Sequence, residues 1–161
     1  MRPVMYALLL TSIPLLLFTG WLGLHSVSLE HGVARHWQVA LWTVLVVLMA
    51  HTLVMFYFLA TGKQLKTVMQ SSGREVNRAH LAELRLIKNK VFPWIMAALF
   101  STIATFVVGG GVLVGAVPKL VHGLLASAAL VSSLVGVVLE IRFVERNRRI
   151  IQAIERDYLD A

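Results

Sequence analysis

Histidine is the residue type in this chain that could carry chemistry. Six histidines occur, at positions 25, 31, 36, 51, 80 and 122. A neutral imidazole can bind haem iron or another metal, and it can also donate or accept a hydrogen bond. The chain has no cysteine, which excludes thiolate metal sites, iron–sulfur clusters and covalently attached haem. Any metal must therefore bind to histidine, carboxylate or methionine side chains.

Long uncharged apolar runs must position these histidines. Hydrophobic residues make up 58% of the 161 residues and charged residues 14%, whereas an average soluble domain has about 45–50% and about 25%. The uncharged runs cover residues 4–24, 37–61, 94–117 and 120–139. Each reaches the length of about 20 residues that a helix needs to cross a bilayer. The sequence therefore predicts an all-α integral membrane protein, a four-helix transmembrane bundle forming one membrane domain over residues 1–161.

The placement of positive charge predicts the orientation. Of the 15 Lys and Arg residues, seven lie in residues 62–90, five follow residue 139 and one is Arg2, which leaves Arg35 and Lys119. By the positive-inside rule, both termini and the central connection are predicted to be cytoplasmic, in a membrane of the bacterial inner-membrane type. The net charge of +7 then indicates contact with anionic lipids and no nucleic-acid partner.

The two charged segments are predicted to be helical. In segment 62–92, Ser72 and Glu75 have capping-box spacing, which predicts the start of an amphipathic cytoplasmic helix that leads into the third spanning helix. Pro93 is predicted to occupy the first turn of the third spanning helix. The tail 140–161 lacks Gly and Pro after Arg142, so the fourth helix is predicted to have a long cytoplasmic extension.

Helical spacing predicts which faces point into the bundle. On the fourth helix one stripe contains His122, Ala126, Ala129, Ser133, Gly136 and Glu140. On the second helix a similar stripe contains Ala40, Val44, Val47, His51, Met55 and Phe58. Both stripes are predicted to face neighbouring helices. Because the residues below His122 in its stripe are small, we expect space beside this histidine. Glu140 itself is predicted to anchor the helix at the inner interface, because Arg142 follows it.

Depth in the bilayer separates the histidines into two groups. His51 is predicted to lie close to the midplane, whereas His122 lies about 12 Å and His25 about 16 Å toward the outer side. His36 belongs to the outer mouth of the second helix. We therefore predict a ligand near His122 with His25 or His36 opposite, and His51 in a separate, deeper ligand environment. If the ligand is haem, the predicted pair of iron ligands is His122 and His25.

Three interpretations of these histidines remain open. Two histidines on facing helices at one level suit a non-covalent b-type haem. A quinone or another lipid-like ligand would need no metal. The third interpretation is structural, because a membrane histidine often makes an interhelical hydrogen bond.

The residues outside the four runs are too few for a soluble catalytic domain, so the chain is not expected to be an enzyme by itself. Its four-helix layout resembles the membrane anchors of respiratory complexes, in architecture alone. We predict a small multi-span subunit of a larger membrane complex, with a role in electron transfer, that binds other membrane subunits through its helices and cytoplasmic tail. The alternative is a small channel or transporter that acts as a homo-oligomer.

Overall fold

The computed structural model describes residues 2–26, 28–71 and 78–158. These residues form four α-helices, α1 (Arg2–His25), α2 (Gly32–Ser71), α3 (Arg78–Leu113) and α4 (Lys119–Tyr158). Each helix is long and apolar enough to cross a membrane. The prediction of an all-helical chain with four such helices is confirmed, as is the continuation of the fourth helix beyond residue 139.

The predicted cytoplasmic helix leads into the third spanning helix without a break. Residues 78–92 are the beginning of α3, and Pro93 lies inside this helix instead of in its first turn. A proline removes one backbone hydrogen bond from a helix, but Val91 and Ile95 on either side are fully buried, and their packing holds the helix together across Pro93. The capping residues Ser72 and Glu75 lie outside the described residues.

The four helices form two antiparallel hairpins. In the first hairpin the hydroxyls of Thr19 and Thr43 are 2.6 Å apart, and in the second those of Ser101 and Ser132 are 3.1 Å apart. We call the end of the bundle with the connections 26–31 and 114–118 the hairpin end. Helices α2 and α4 run parallel and contact each other, whereas within the described residues α1 and α3 do not touch.

The two hairpins repeat the same arrangement at an offset of 86 residues. Asn147 donates a hydrogen bond of 3.0 Å to the hydroxyl of Thr61, and these residues are 86 positions apart. Residues at matching positions of two repeats can meet each other only near an axis of approximate two-fold symmetry. Buried positions match in the same way, Met5 with Val91 and Leu9 with Ile95. The axis therefore runs between α2 and α4.

The apolar core is concentrated in the half of the bundle away from the hairpin end. Large buried side chains such as Leu9, Phe58, Ile95 and Ile154 belong to one cluster there. Between the hairpin end and the level of Val47, Leu22 is the single large apolar side chain that is buried, among the residues that the structure describes. The fully buried positions of the hairpin half are therefore occupied mainly by small and polar residues.

The contact between Asn147 and Thr61 gives a prediction about stability. Asn147 is 1% exposed, so Asn147→Ala removes a buried hydrogen bond between α2 and α4. We expect the free energy of unfolding to fall by about 1 kcal/mol, the usual size of such a bond between apolar helices. Unfolding by increasing amounts of SDS in mixed micelles measures it. Thr67→Ala is the control, because the exposed Thr67 hydroxyl bonds only to Lys63 of its own helix. Equal stability of the two variants would contradict the prediction.

Candidate ligand site at the hairpin end

His36 is held at the hairpin end by the first hairpin. It lies early in α2, and its Nδ1 donates a hydrogen bond of 3.1 Å to the backbone carbonyl of Thr19 in α1. The imidazole lies against Gly23, where an added Cβ would be 3.0 Å from the ring atom Cε1. Glycine at this position lets the ring approach the backbone of α1.

His122 is held in the same way by the second hairpin. It lies early in α4, and its Nδ1 donates a hydrogen bond of 3.1 Å to the backbone carbonyl of Thr105 in α3. An added Cβ on Gly109 would be 3.0 Å from Cε1 of this ring. Both hydrogen bonds span 17 residues, so the two hairpins place their histidines by one repeated device.

The two rings meet between α2 and α4. Their centres are 6.3 Å apart and their planes are at 84°. A carbonyl oxygen can only accept a hydrogen bond, so each Nδ1 carries the proton and a neutral ring has its lone pair on Nε2. Two imidazoles that share one iron at about 2.0 Å per bond have nitrogens about 4 Å apart and ring centres about 6 Å apart. The observed spacing therefore fits one metal shared by His36 and His122.

Few large side chains are fully buried around these rings. Helix α1 holds His36 and helix α3 holds His122, and the backbones of α1 and α3 do not approach each other closely within the described residues. The half of the bundle around the rings lacks large buried side chains except Leu22. Trp37 and Phe106 contact each other near this level, with ring centres 6.2 Å apart. The described residues contain no group of three or more histidines or carboxylates that could hold a metal ion, so a metal here would need other ligands from its cofactor.

The structure does not bring His25 to His122. The Nδ1 of His25 is 2.9 Å from the backbone carbonyl of Trp21 in its own helix, and its ring packs on the Trp21 side chain. His25 is also exposed. Of the two histidines predicted to lie opposite His122, it is His36 that lies there.

His51 lies in a different environment, away from the hairpin end. Its Nδ1 is 2.6 Å from Oε1 of Glu140, and both side chains are fully buried. Gly136 makes room for the ring, because a Cβ there would be 3.3 Å from Cε1 of His51. The prediction that Glu140 anchors the helix at an interface was wrong, since α4 turns it toward α2. The predicted inward stripes are confirmed by the burial of Ser133, Gly136 and Glu140 on α4 and of Val47, His51 and Phe58 on α2.

One sequence signal for the pair of His36 and His122 was missed. The chain contains one spacing of Thr, Gly and His twice. It occurs at residues 19, 23 and 36, and again at residues 105, 109 and 122. Because His36 belongs to this repeat and His25 does not, the sequence alone identifies His36 as the counterpart of His122. Comparison of the chain with protein-family profiles, with curated proteins and with solved structures gave no match.

Proposed function

We propose that the chain is a membrane-embedded haem protein that binds one non-covalent b-type haem between His36 and His122. The observation that carries this proposal is the distance of 6.3 Å between the two ring centres, with each Nδ1 bonded to a backbone carbonyl. A hydrogen bond on the second nitrogen fixes the orientation and tautomer of a metal-binding imidazole. When bound, the haem would accept and release one electron.

A purely structural role accounts for less of the geometry. Each bond from Nδ1 to a carbonyl would by itself satisfy one polar atom and join two helices of one hairpin. A purely structural role would not explain why the two rings approach each other. It would also not explain why each ring leaves its Nε2 for a ligand. The glycines repeated beside both rings also suit a site that holds a planar group.

The exterior of the bundle supports a location in the membrane. All four helices expose large apolar side chains, among them Leu24, Trp42, Phe100 and Leu120. The cations Arg35 and Lys119 are exposed and lie within four residues of His36 and His122. They are suited to pair with the haem propionates at the outer surface, and the remaining cations would then face the cytoplasm and anionic lipids.

A carrier of this kind requires an electron donor and an acceptor. We propose that other membrane subunits supply them, and that the chain binds these subunits through its exposed apolar faces and the part of α4 beyond residue 139. Copurification of stable partner proteins from native membranes would support this assembly. A homo-oligomer with a water-filled central path would support the rival channel or transporter.

The experiment that tests the haem proposal is an absorption spectrum of the purified chain, oxidised and then reduced with dithionite, after expression with ample haem precursor. We expect a Soret band and a sharp reduced α-band, with one extractable haem per chain. A colourless protein would contradict the proposal. If organic extraction of that colourless protein yields quinone, the alternative of a lipid-like ligand is favoured.

The glycines beside the rings give a prediction with internal controls. Gly109→Leu is expected to weaken haem binding by more than tenfold, because even a Cβ there would be 3.0 Å from the His122 ring and a larger side chain must displace it. Gly110→Leu is the matched control, since a Cβ on Gly110 would meet no atom within 4 Å. The corresponding comparison in the first hairpin is Gly23→Leu against Gly20→Leu. Haem titration followed by absorbance measures all four, and equal affinities within each comparison would contradict the assigned site.

A further inference from the structure

The buried pair of His51 and Glu140 breaks the repeat that organises the rest of the bundle. At an offset of 86 residues, the counterpart of His51 is Val137 and the counterpart of Glu140 is Val54. Both valines are buried within the apolar core. The position related to this pair by the approximate two-fold axis is thus filled by apolar side chains, so packing of the helices does not require a polar pair.

The pair also leaves polar atoms without partners. Among the described residues, neither Nε2 of His51 nor Oε2 of Glu140 has a hydrogen-bond partner, and the same holds for the hydroxyl of Ser133. Ser133, Gly136 and Glu140 lie on one face of α4, and Gly136 contacts the His51 ring. Buried polar atoms without protein partners are the usual binding sites of internal water.

Among the described residues, His51 is the ionisable group that pairs with Glu140. The buried polar side chains on the neighbouring helices are Ser12 of α1 and Thr102 of α3, and neither carries a charge. On α3, the ammonium of Lys88 lies beside Gly62, eleven residues beyond His51. The net charge of the pair is therefore set by its own protons.

We propose that His51 and Glu140 form a proton-binding site that takes up one proton from solvent through internal water. In the unloaded state one proton lies between Nδ1 of His51 and Oε1 of Glu140, and the pair carries one negative charge. In the loaded state a second proton is on Oε2 of Glu140, and the pair is neutral. Water held by Ser133 relays this proton and is itself reprotonated from solvent, so no hydroxide is left in the bundle and no electron is transferred. The site is separate from His36 and His122, and it holds its proton whether or not haem is bound.

Infrared difference spectroscopy during a pH titration tests this site in the purified full-length chain. We expect the band of a protonated buried carboxyl group to titrate and to shift in heavy water. The band is expected to be lost completely in Glu140→Gln and retained in Glu145→Gln, which changes a half-buried carboxylate one turn further along α4.

The double variant with His51→Val and Glu140→Val copies the counterpart positions, so it should fold and provide a baseline without the band. Persistence of the full band in Glu140→Gln would overturn the proposal. So would the absence of any titrating buried carboxyl band in the folded wild-type chain. A wild-type chain that binds no haem although haem is supplied, but still shows the band, would contradict the haem proposal and leave this one standing.

Discussion

His36→Ala and His122→Ala are each expected to abolish the low-spin haem spectrum, whereas His25→Ala is expected to retain it. The two rings approach each other at 6.3 Å between centres, and each would supply one nitrogen ligand to the iron. Removing either ring leaves the iron with a single protein ligand in a site that is not covalently linked to the haem. Absorption spectra of the purified variants, normalised to protein, measure the effect.

Folding of these variants needs its own control, because each histidine also joins two helices of a hairpin. Helix content and elution volume should match those of the wild-type chain. As a second measurement, free imidazole added to His122→Gly should restore part of the low-spin spectrum, since it can occupy the space of the missing ring. A normal haem spectrum in both His36→Ala and His122→Ala would contradict the assignment of the ligands.

Single substitutions of the buried pair are expected to destabilise the chain, and the double substitution is expected to restore most of the loss. His51→Val leaves a buried carboxylate without its partner and should lower the free energy of unfolding by about 3–5 kcal/mol. Glu140→Val leaves a neutral buried imidazole and should cost about 1–3 kcal/mol. The double variant should lie within about 1 kcal/mol of the wild type, because buried pairs can often be replaced by apolar residues.

Unfolding in mixed SDS micelles measures this double-mutant cycle. Glu145→Val is the control for losing a carboxylate from α4, since Glu145 is 40% exposed and pairs with Arg148. A double variant that loses as much stability as the sum of the two single variants would show that the pair is needed for packing. The apolar counterparts Val54 and Val137 would then not indicate what packing requires at this position.

The helices could be predicted from the sequence because the length of an uncharged run is a local property. The runs at 4–24, 37–61 and 120–139 each lie within one helix, and the run at 94–117 lies in α3 as far as Leu113. The bounds of α2 and α3 were harder to predict, since charged residues continue both helices beyond the apolar runs. Pro93 was misplaced because tertiary packing of Val91 and Ile95 keeps α3 continuous through it.

The site could be predicted in part. Helix phase placed His122 and His51 on inward stripes, but estimates of depth alone could not choose between His25 and His36. That choice depends on how the first hairpin turns, and it was encoded in the spacing of Thr19, Gly23 and His36 that the second hairpin repeats. The contact of Glu140 with His51 joins residues 89 positions apart. Such a contact depends on the register between α2 and α4, which no local pattern reveals.

Electron paramagnetic resonance of the oxidised, purified chain tests whether His36 and His122 hold one haem iron. An iron held by two imidazoles is low-spin. Parallel ring planes would separate two of its d orbitals in energy, whereas ring planes at 84° would leave these two orbitals nearly equal in energy. We therefore predict a strongly anisotropic low-spin ferric signal from one haem per chain, lost in His36→Ala and in His122→Ala. A high-spin ferric signal, or a low-spin signal that survives both substitutions, would contradict it.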